Sequence, residues 1–108
     1  MTVLHTVEPP YVAVIFTSTR TDTDDGYDRT AQRMSQLAAR QPGYLGHESA
    51  RSDGLGITVS YWATEADAQN WKLVSEHRIA QDRGRDTWYR DYSVRIAVVT
   101  RAYGMDRR

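Results

Sequence analysis

Short apolar runs alternate with polar punctuation along this chain, and each run carries its own period. Tyr11 to Thr19 is rich in β-branched and aromatic residues and predicts a first strand. Val12, Val14 and Phe16 share one face, while Ala13 and Ile15 make the other face apolar too, so burial on both sides is expected. An acidic loop from Arg20 to Gly26 offers Thr23, Asp24 and Asp25 as N-caps. Tyr27, Ala31, Met34, Leu37 and Ala38 then recur at helical spacing and predict a helix over 27–40, which Pro42-Gly43 ends.

Tyr44 to Arg51 has weaker strand character, but Ser52-Asp53-Gly54 is a hairpin turn signal and a second strand follows from Gly56 to Ala63. In that strand Ile57, Val59, Tyr61 and Ala63 alternate with Thr58, Ser60 and Trp62, so neither face is plainly solvated. Thr64-Glu65-Ala66-Asp67, close to a capping box, opens a second helical region. Further on, Leu73, His77, Ala80, Gly84 and Trp88 lie within one arc of a helical wheel, which predicts a helix to about Arg90 with His77 facing inward. Gly84 weakens such a helix by about 1 kcal/mol relative to alanine, and the small Ala80 and Gly84 suit either a cavity or close packing. Tyr92 to Tyr103 alternates Val94, Ile96 and Val98 with Arg95 and Arg101 and reads as the last strand.

Strand, helix, strand, strand, helix, strand is the ferredoxin-like α+β order, a four-stranded antiparallel sheet with both helices on one face. The expected organisation is an arm over 1–10, one domain over 11–104 and a tail over 105–108. Because the strands are apolar on the side the helices leave bare, a homodimer packed sheet to sheet is expected.

Composition narrows the function. Fourteen basic and fourteen acidic residues cancel, so neither nucleic acid nor an anionic membrane is an expected partner. Lys72 is the only lysine, which disfavours Schiff-base chemistry, and the absence of cysteine removes disulfides, thiolate nucleophiles and cysteine metal sites. His5, His47 and His77 fit no compact metal-ligand spacing, and Gly54-Leu55-Gly56 opens no helix that would bind a phosphate. The start of the chain does not read as a signal peptide, and no apolar run approaches the roughly 20 residues that cross a bilayer, so a cytoplasmic protein is expected.

Several motifs recur in a definite order: Gln41-Pro42-Gly43-Tyr44-Leu45-Gly46, Ser60-Tyr61-Trp62, Ala68-Gln69-Asn70-Trp71, Ser75-Glu76-His77, Trp88-Tyr89 and Arg101-Ala102-Tyr103-Gly104. Together they resemble the antibiotic biosynthesis monooxygenase family, dimeric α/β-barrel proteins of ferredoxin-like fold that also include small haem-degrading monooxygenases. The resemblance covers residues 11–104. It implies a cavity between helices and sheet in each protomer and, in some members, oxygenation of aromatic polyketides with neither metal nor flavin. It also implies that Trp71 borders the cavity and that His77 matches a histidine further along the helix. The chain departs from the haem-degrading members in placing His77 six residues after Trp71 and in offering Phe16 or Ser18 where they carry an asparagine.

His77 is thus the candidate general base, or else a packed core histidine. Trp71, Trp62, Tyr61 and Trp88 are candidates for an aromatic wall, with Phe16 beside them and Ser18 and Ser60 as orienting hydrogen-bond groups; each is equally suited to a core. The reading that follows is a cofactor-independent monooxygenase acting on a flat aromatic or enolisable compound. Its rivals are a non-oxidative isomerase or cyclase in the same cavity, a non-catalytic binding dimer and, more weakly, haem binding.

Overall fold

The computed structural model describes residues 7–22, 27–81 and 88–105. Its elements are β1 (Tyr11–Arg20), α1 (Tyr27–Ala39), β2 (Tyr44–Ser52), β3 (Leu55–Trp62), α2 (Glu65–Gln81) and β4 (Tyr89–Val99). The four strands form one sheet in the order β2-β3-β1-β4, every neighbouring pair antiparallel. This is the ferredoxin-like fold expected from the sequence.

Local chemistry explains the joints. Asp53 and Gly54 both take positive φ, 52° and 81°, the mirror-image turn whose twist matches a hairpin, and Ser52 pairs with Leu55 directly across it. At the end of α1 the amides of Arg40 and Gln41 bond back to the carbonyls of Leu37 and Ala38, after which Gly43 turns the chain at φ 78° and its carbonyl accepts from the Ala63 amide at 2.8 Å. Thr64 caps α2, its Oγ1 accepting from the Asp67 amide at 3.1 Å.

The core lies between helices and sheet. Val12 and Val14 of β1, Ala38 of α1, Ala68 and Trp71 of α2 and Trp62 of β3 form it. Trp62 is fully buried and stacks on Trp71 with ring centroids 5.6 Å apart and planes 24° apart, while Tyr44 meets it edge-on at 5.7 Å. Such a pair contributes about 0.5–1.5 kcal/mol beyond the area it buries.

Two boundaries differ from expectation. The described helix α2 stops at Gln81, and Tyr89 and Arg90 already belong to β4, so the helix does not continue to Arg90. Tyr89 pairs with Arg20, and the Thr21 amide donates to the Trp88 carbonyl at 2.9 Å, so these backbone groups are satisfied by the β1 ladder. Gly84 lies outside the described residues. The other difference is at the far end of β4, which closes at Val99 rather than Tyr103.

The phase of α2 also differs. Ala68, Trp71 and Ile79 are buried, whereas Leu73 is 64% exposed and His77 lies on the same outward side. Steps of three and eight residues place Ala68, Trp71 and Ile79 on one stripe, and the large indole of Trp71 decides which face packs. His77 therefore points away from the interior. No described helix is long and apolar enough to cross a membrane.

Candidate functional site

A cavity of about 350 Å³ lies between the two helices and the face of the sheet they cover. Residues at even positions of β1 and β3 point into this side, as the pairings Val14 with Ser60 and Phe16 with Thr58 show. Val14, Phe16, Thr58 and Ser60 make the floor. Ala31 and Met34 of α1 and Trp71 of α2 close it from above.

One end is an aromatic cluster. Tyr27, Trp88 and Tyr89 all line the cavity, with Tyr27 edge-on to Trp88 at 5.8 Å and to Tyr89 at 6.1 Å. Phe16 meets Tyr89 at 5.5 Å and stacks with Tyr92 at 5.4 Å. The guanidinium of Arg20 sits 3.4 Å above the Tyr27 ring, a close cation–π contact. The Tyr89 phenol is held well above the ordinary tyrosine range, first by burial and then by the neighbouring Tyr27 phenol, with Arg51 and Arg20 pulling more weakly the other way. It is a hydrogen-bond donor at any physiological pH rather than a base.

β2 supplies the mouth. His47, Ser49 and Arg51 alternate along this edge strand and all line the cavity. His47 is exposed, and its Nδ1 lies 2.6 Å from the Tyr44 hydroxyl, which engages one ring nitrogen and leaves Nε2 for another partner. Burial raises the Tyr44 pKa. The Arg51 guanidinium donates from Nη1 to the Gly54 carbonyl at 3.0 Å and from Nη2 to Ser18 Oγ at 2.9 Å and the Tyr27 hydroxyl at 3.2 Å.

The residues singled out from sequence separate into groups. Trp71, Trp88, Phe16 and Ser60 line the cavity. Ser18, only 2% exposed, stands behind it as an acceptor for Arg51. Trp62 is core instead of wall, and its indole N–H donates to Ser60 Oγ at 2.9 Å, which orients a lining hydroxyl from behind. Tyr61 is on the opposite face of the sheet, where its hydroxyl donates to Glu48 at 2.7 Å. His77 is exposed and does not line the cavity. His5 lies outside the described residues, and no group of side chains among the described residues could hold a metal ion.

Sequence reasoning passed over Arg51, His47, Tyr27 and Tyr89. A signal for Arg51 was available. Counting outward from the Asp53-Gly54 turn sets Arg51 opposite Gly56, where a missing side chain leaves room for a long one to lie across the sheet.

A ferredoxin-like sheet roofed by two helices is also the fold of the chain's structural neighbours. The chain is 53% identical to YqjZ, an uncharacterized protein of Bacillus subtilis, over 97 residues that make up 89% of this chain and 85% of that one. It is 29% identical over 92 residues to the jasmonate monooxygenase ABM of Pyricularia oryzae, covering 82% of this chain and 43% of that longer protein. Among solved structures, SnoaB, a cofactor-independent oxygenase from Streptomyces nogalater, superimposes with a TM-score of 0.63 over 92% of this chain and 100% of that one; at 13% identity the likeness is one of fold. No family model matches the chain. The protein belongs to one family with YqjZ, and its fold is that of the antibiotic biosynthesis monooxygenases.

Proposed function

We propose that the protein is a cofactor-independent monooxygenase that oxidises a flat aromatic or enolisable small molecule in the cavity between helices and sheet. The observation that carries this reading is the cavity itself: about 350 Å³, walled by Phe16, Trp71 and Trp88, with the His47 imidazole and several hydroxyls among its lining, in a chain similar to the jasmonate monooxygenase ABM and folded like SnoaB. Flat rings suit a flat substrate, and helices packed over the sheet limit the water that reaches a reacting anion.

The chemistry needs a base, a hydrogen-bond donor and exclusion of water. Loss of a proton from a phenol or an acidic C–H leaves an electron-rich anion that reacts with dioxygen. One oxygen atom is retained on carbon and the other leaves as water with two hydrogens of the substrate, so no external reductant is consumed. His47, at the mouth with its Nδ1 engaged by Tyr44, takes the proton in this account. Tyr89, which keeps its own proton, donates to the oxyanion that develops. His77, on the outer face of α2, has no part in it.

The test is oxygen uptake by purified protein offered a set of hydroxynaphthalenes, with product quinone followed by absorbance. Uptake and quinone are expected in equal amounts. His47→Gln should lower kcat by about a hundredfold or more, and His77→Gln should leave it unchanged. Absence of uptake across the set, or equal losses in the two variants, contradicts the proposal.

The same reading has two copies joined through the uncovered face of the sheet. Leu55 and Ile57 are 48% and 42% exposed there, beside half-buried Ile15 and Val59. A contiguous apolar strip of this kind is covered at little cost by its own symmetry mate.

A further inference from the structure

We propose that Arg51 makes the cavity mouth an anion-recognition site, so that the molecule the cavity takes is a small acid whose ring enters between the helices and sheet while its carboxylate rests on the guanidinium. The inference builds on the reading of the cavity as a small-molecule site and is independent of any oxygen chemistry.

Four observations support it. Among the described residues, Arg51 is the only cavity-lining side chain with a permanent charge. Its position is built: it pairs with Gly56, and a Cβ at that glycine would overlap the Arg51 guanidinium, so the side chain lies in a trough that only a glycine leaves open. The trough leads to Ser18 Oγ, which is buried in β1 and anchors Nη2.

The third observation is the nature of the partners. All three acceptors around the guanidinium, the Gly54 carbonyl, Ser18 Oγ and the Tyr27 hydroxyl, are neutral, and among the described residues no carboxylate pairs with it. Three hydrogen bonds engage three of the five N–H donors of a guanidinium and leave two, with the full charge, for a ligand. Lastly, the cation stands at the accessible rim while the aromatic wall lies deeper, which is the polarity of an aromatic acid entering ring first.

Gly56 gives an unusually clean control. Its backbone is not in the left-handed region, so alanine is compatible with the strand, and the atoms it would displace are the far end of a flexible side chain. Gly56→Ala therefore keeps the charge and removes its placement. Arg51→Gln removes the charge and keeps the glycine.

The experiment is isothermal titration calorimetry of the full chain with 2-naphthoate and with its uncharged counterpart 2-naphthamide. Wild type should favour 2-naphthoate by on the order of tenfold or more, the range of a charge-assisted hydrogen bond. In Arg51→Gln the preference should fall to near unity with 2-naphthamide affinity unchanged, which also certifies the fold of the variant. Gly56→Ala should lose most of the preference although its net charge is that of wild type. Equal binding of the two ligands by wild type, or a preference that survives Arg51→Gln, overturns the anion site while leaving the cavity reading intact. Binding of neither ligand overturns both.

Discussion

The two faces of this sheet are made from nearly the same residue types and do different things. On the covered face, Val14, Phe16, Thr58 and Ser60 floor a cavity, and the polar groups there are held by named partners: Ser60 by the Trp62 indole, Ser18 by Arg51. The uncovered face carries Ile15, Leu55, Ile57 and Val59 in a strip, with the polar pairs Tyr61 to Glu48 at 2.7 Å and Arg95 to Ser93 at 3.1 Å. An apolar face becomes a site only where aromatic walls, an unfilled volume and fixed polar groups coincide. An apolar face that is merely flat and exposed is a surface for association.

That contrast is open to direct attack. The largest effect is expected at Trp62, which is fully buried and stacked on Trp71. Trp62→Ala should cost about 3–5 kcal/mol of stability in urea unfolding and release Ser60 from its orienting hydrogen bond. On the other face, Ile57→Lys should leave the unfolding midpoint almost unchanged, because Ile57 is 42% exposed, yet shift the species in light scattering from dimer to monomer. A midpoint that falls sharply instead would mean that Ile57 serves the protomer's own fold.

The tyrosines offer a comparison by pH. Tyr61 on the uncovered face is pushed up from 10.0 to about 12, first by burial and then by the hydrogen bond and charge of Glu48. Tyr89 on the covered face is raised further by burial and Tyr27. Both pKa values lie above that of an unfolded tyrosine, so the folded chain holds these protons more tightly. The stability they contribute is fully present below pH 10 and lost as pH rises through the folded values. Absorbance at the phenolate band should show Tyr44, Tyr61 and Tyr89 ionising late, with unfolding accompanying the last of them. In Glu48→Gln the Tyr61 step should move to lower pH and the Tyr89 step should stay. The smallest effect expected is that of Thr64→Ala, which removes the α2 cap for about 1 kcal/mol and touches neither face.

The fold was legible because its punctuation is chemical. Asp53-Gly54 dictates the hairpin, Pro42-Gly43 ends α1 and Thr64 starts α2, so the strand and helix order follows from the residues at the joints. What misled was periodicity in a helix with little amphipathic contrast. Starting the α2 stripe from Leu73 turns His77 inward, whereas starting it from Trp71 turns His77 out, and only packing against Trp62 decides between them. Trp88 and Tyr89 read as helix by spacing, but their backbone is claimed by β1 across a separation in sequence that local patterns do not sense.

The candidate site was half legible for a related reason. Phe16 and Ser60 alternate along strands, so their inward direction follows from period, whereas Trp71 and Trp88 are large residues set inward by packing and pairing that spacing does not fix. Arg51 and His47 sit on an edge strand where charged side chains ordinarily face water, and what brings them to the cavity is the register of the hairpin and the absence of a side chain at Gly56.

In the proposed reaction the covered face, and not the apolar strip on the other side, receives the small molecule. Intermolecular nuclear Overhauser effects between 2-naphthol and the methyl groups of the protein test it most directly. Contacts to the Ala31 and Met34 methyls, which line the cavity, are expected. Contacts confined to Ile15 and Val59, or none at ligand concentrations that saturate a weak site, would contradict it.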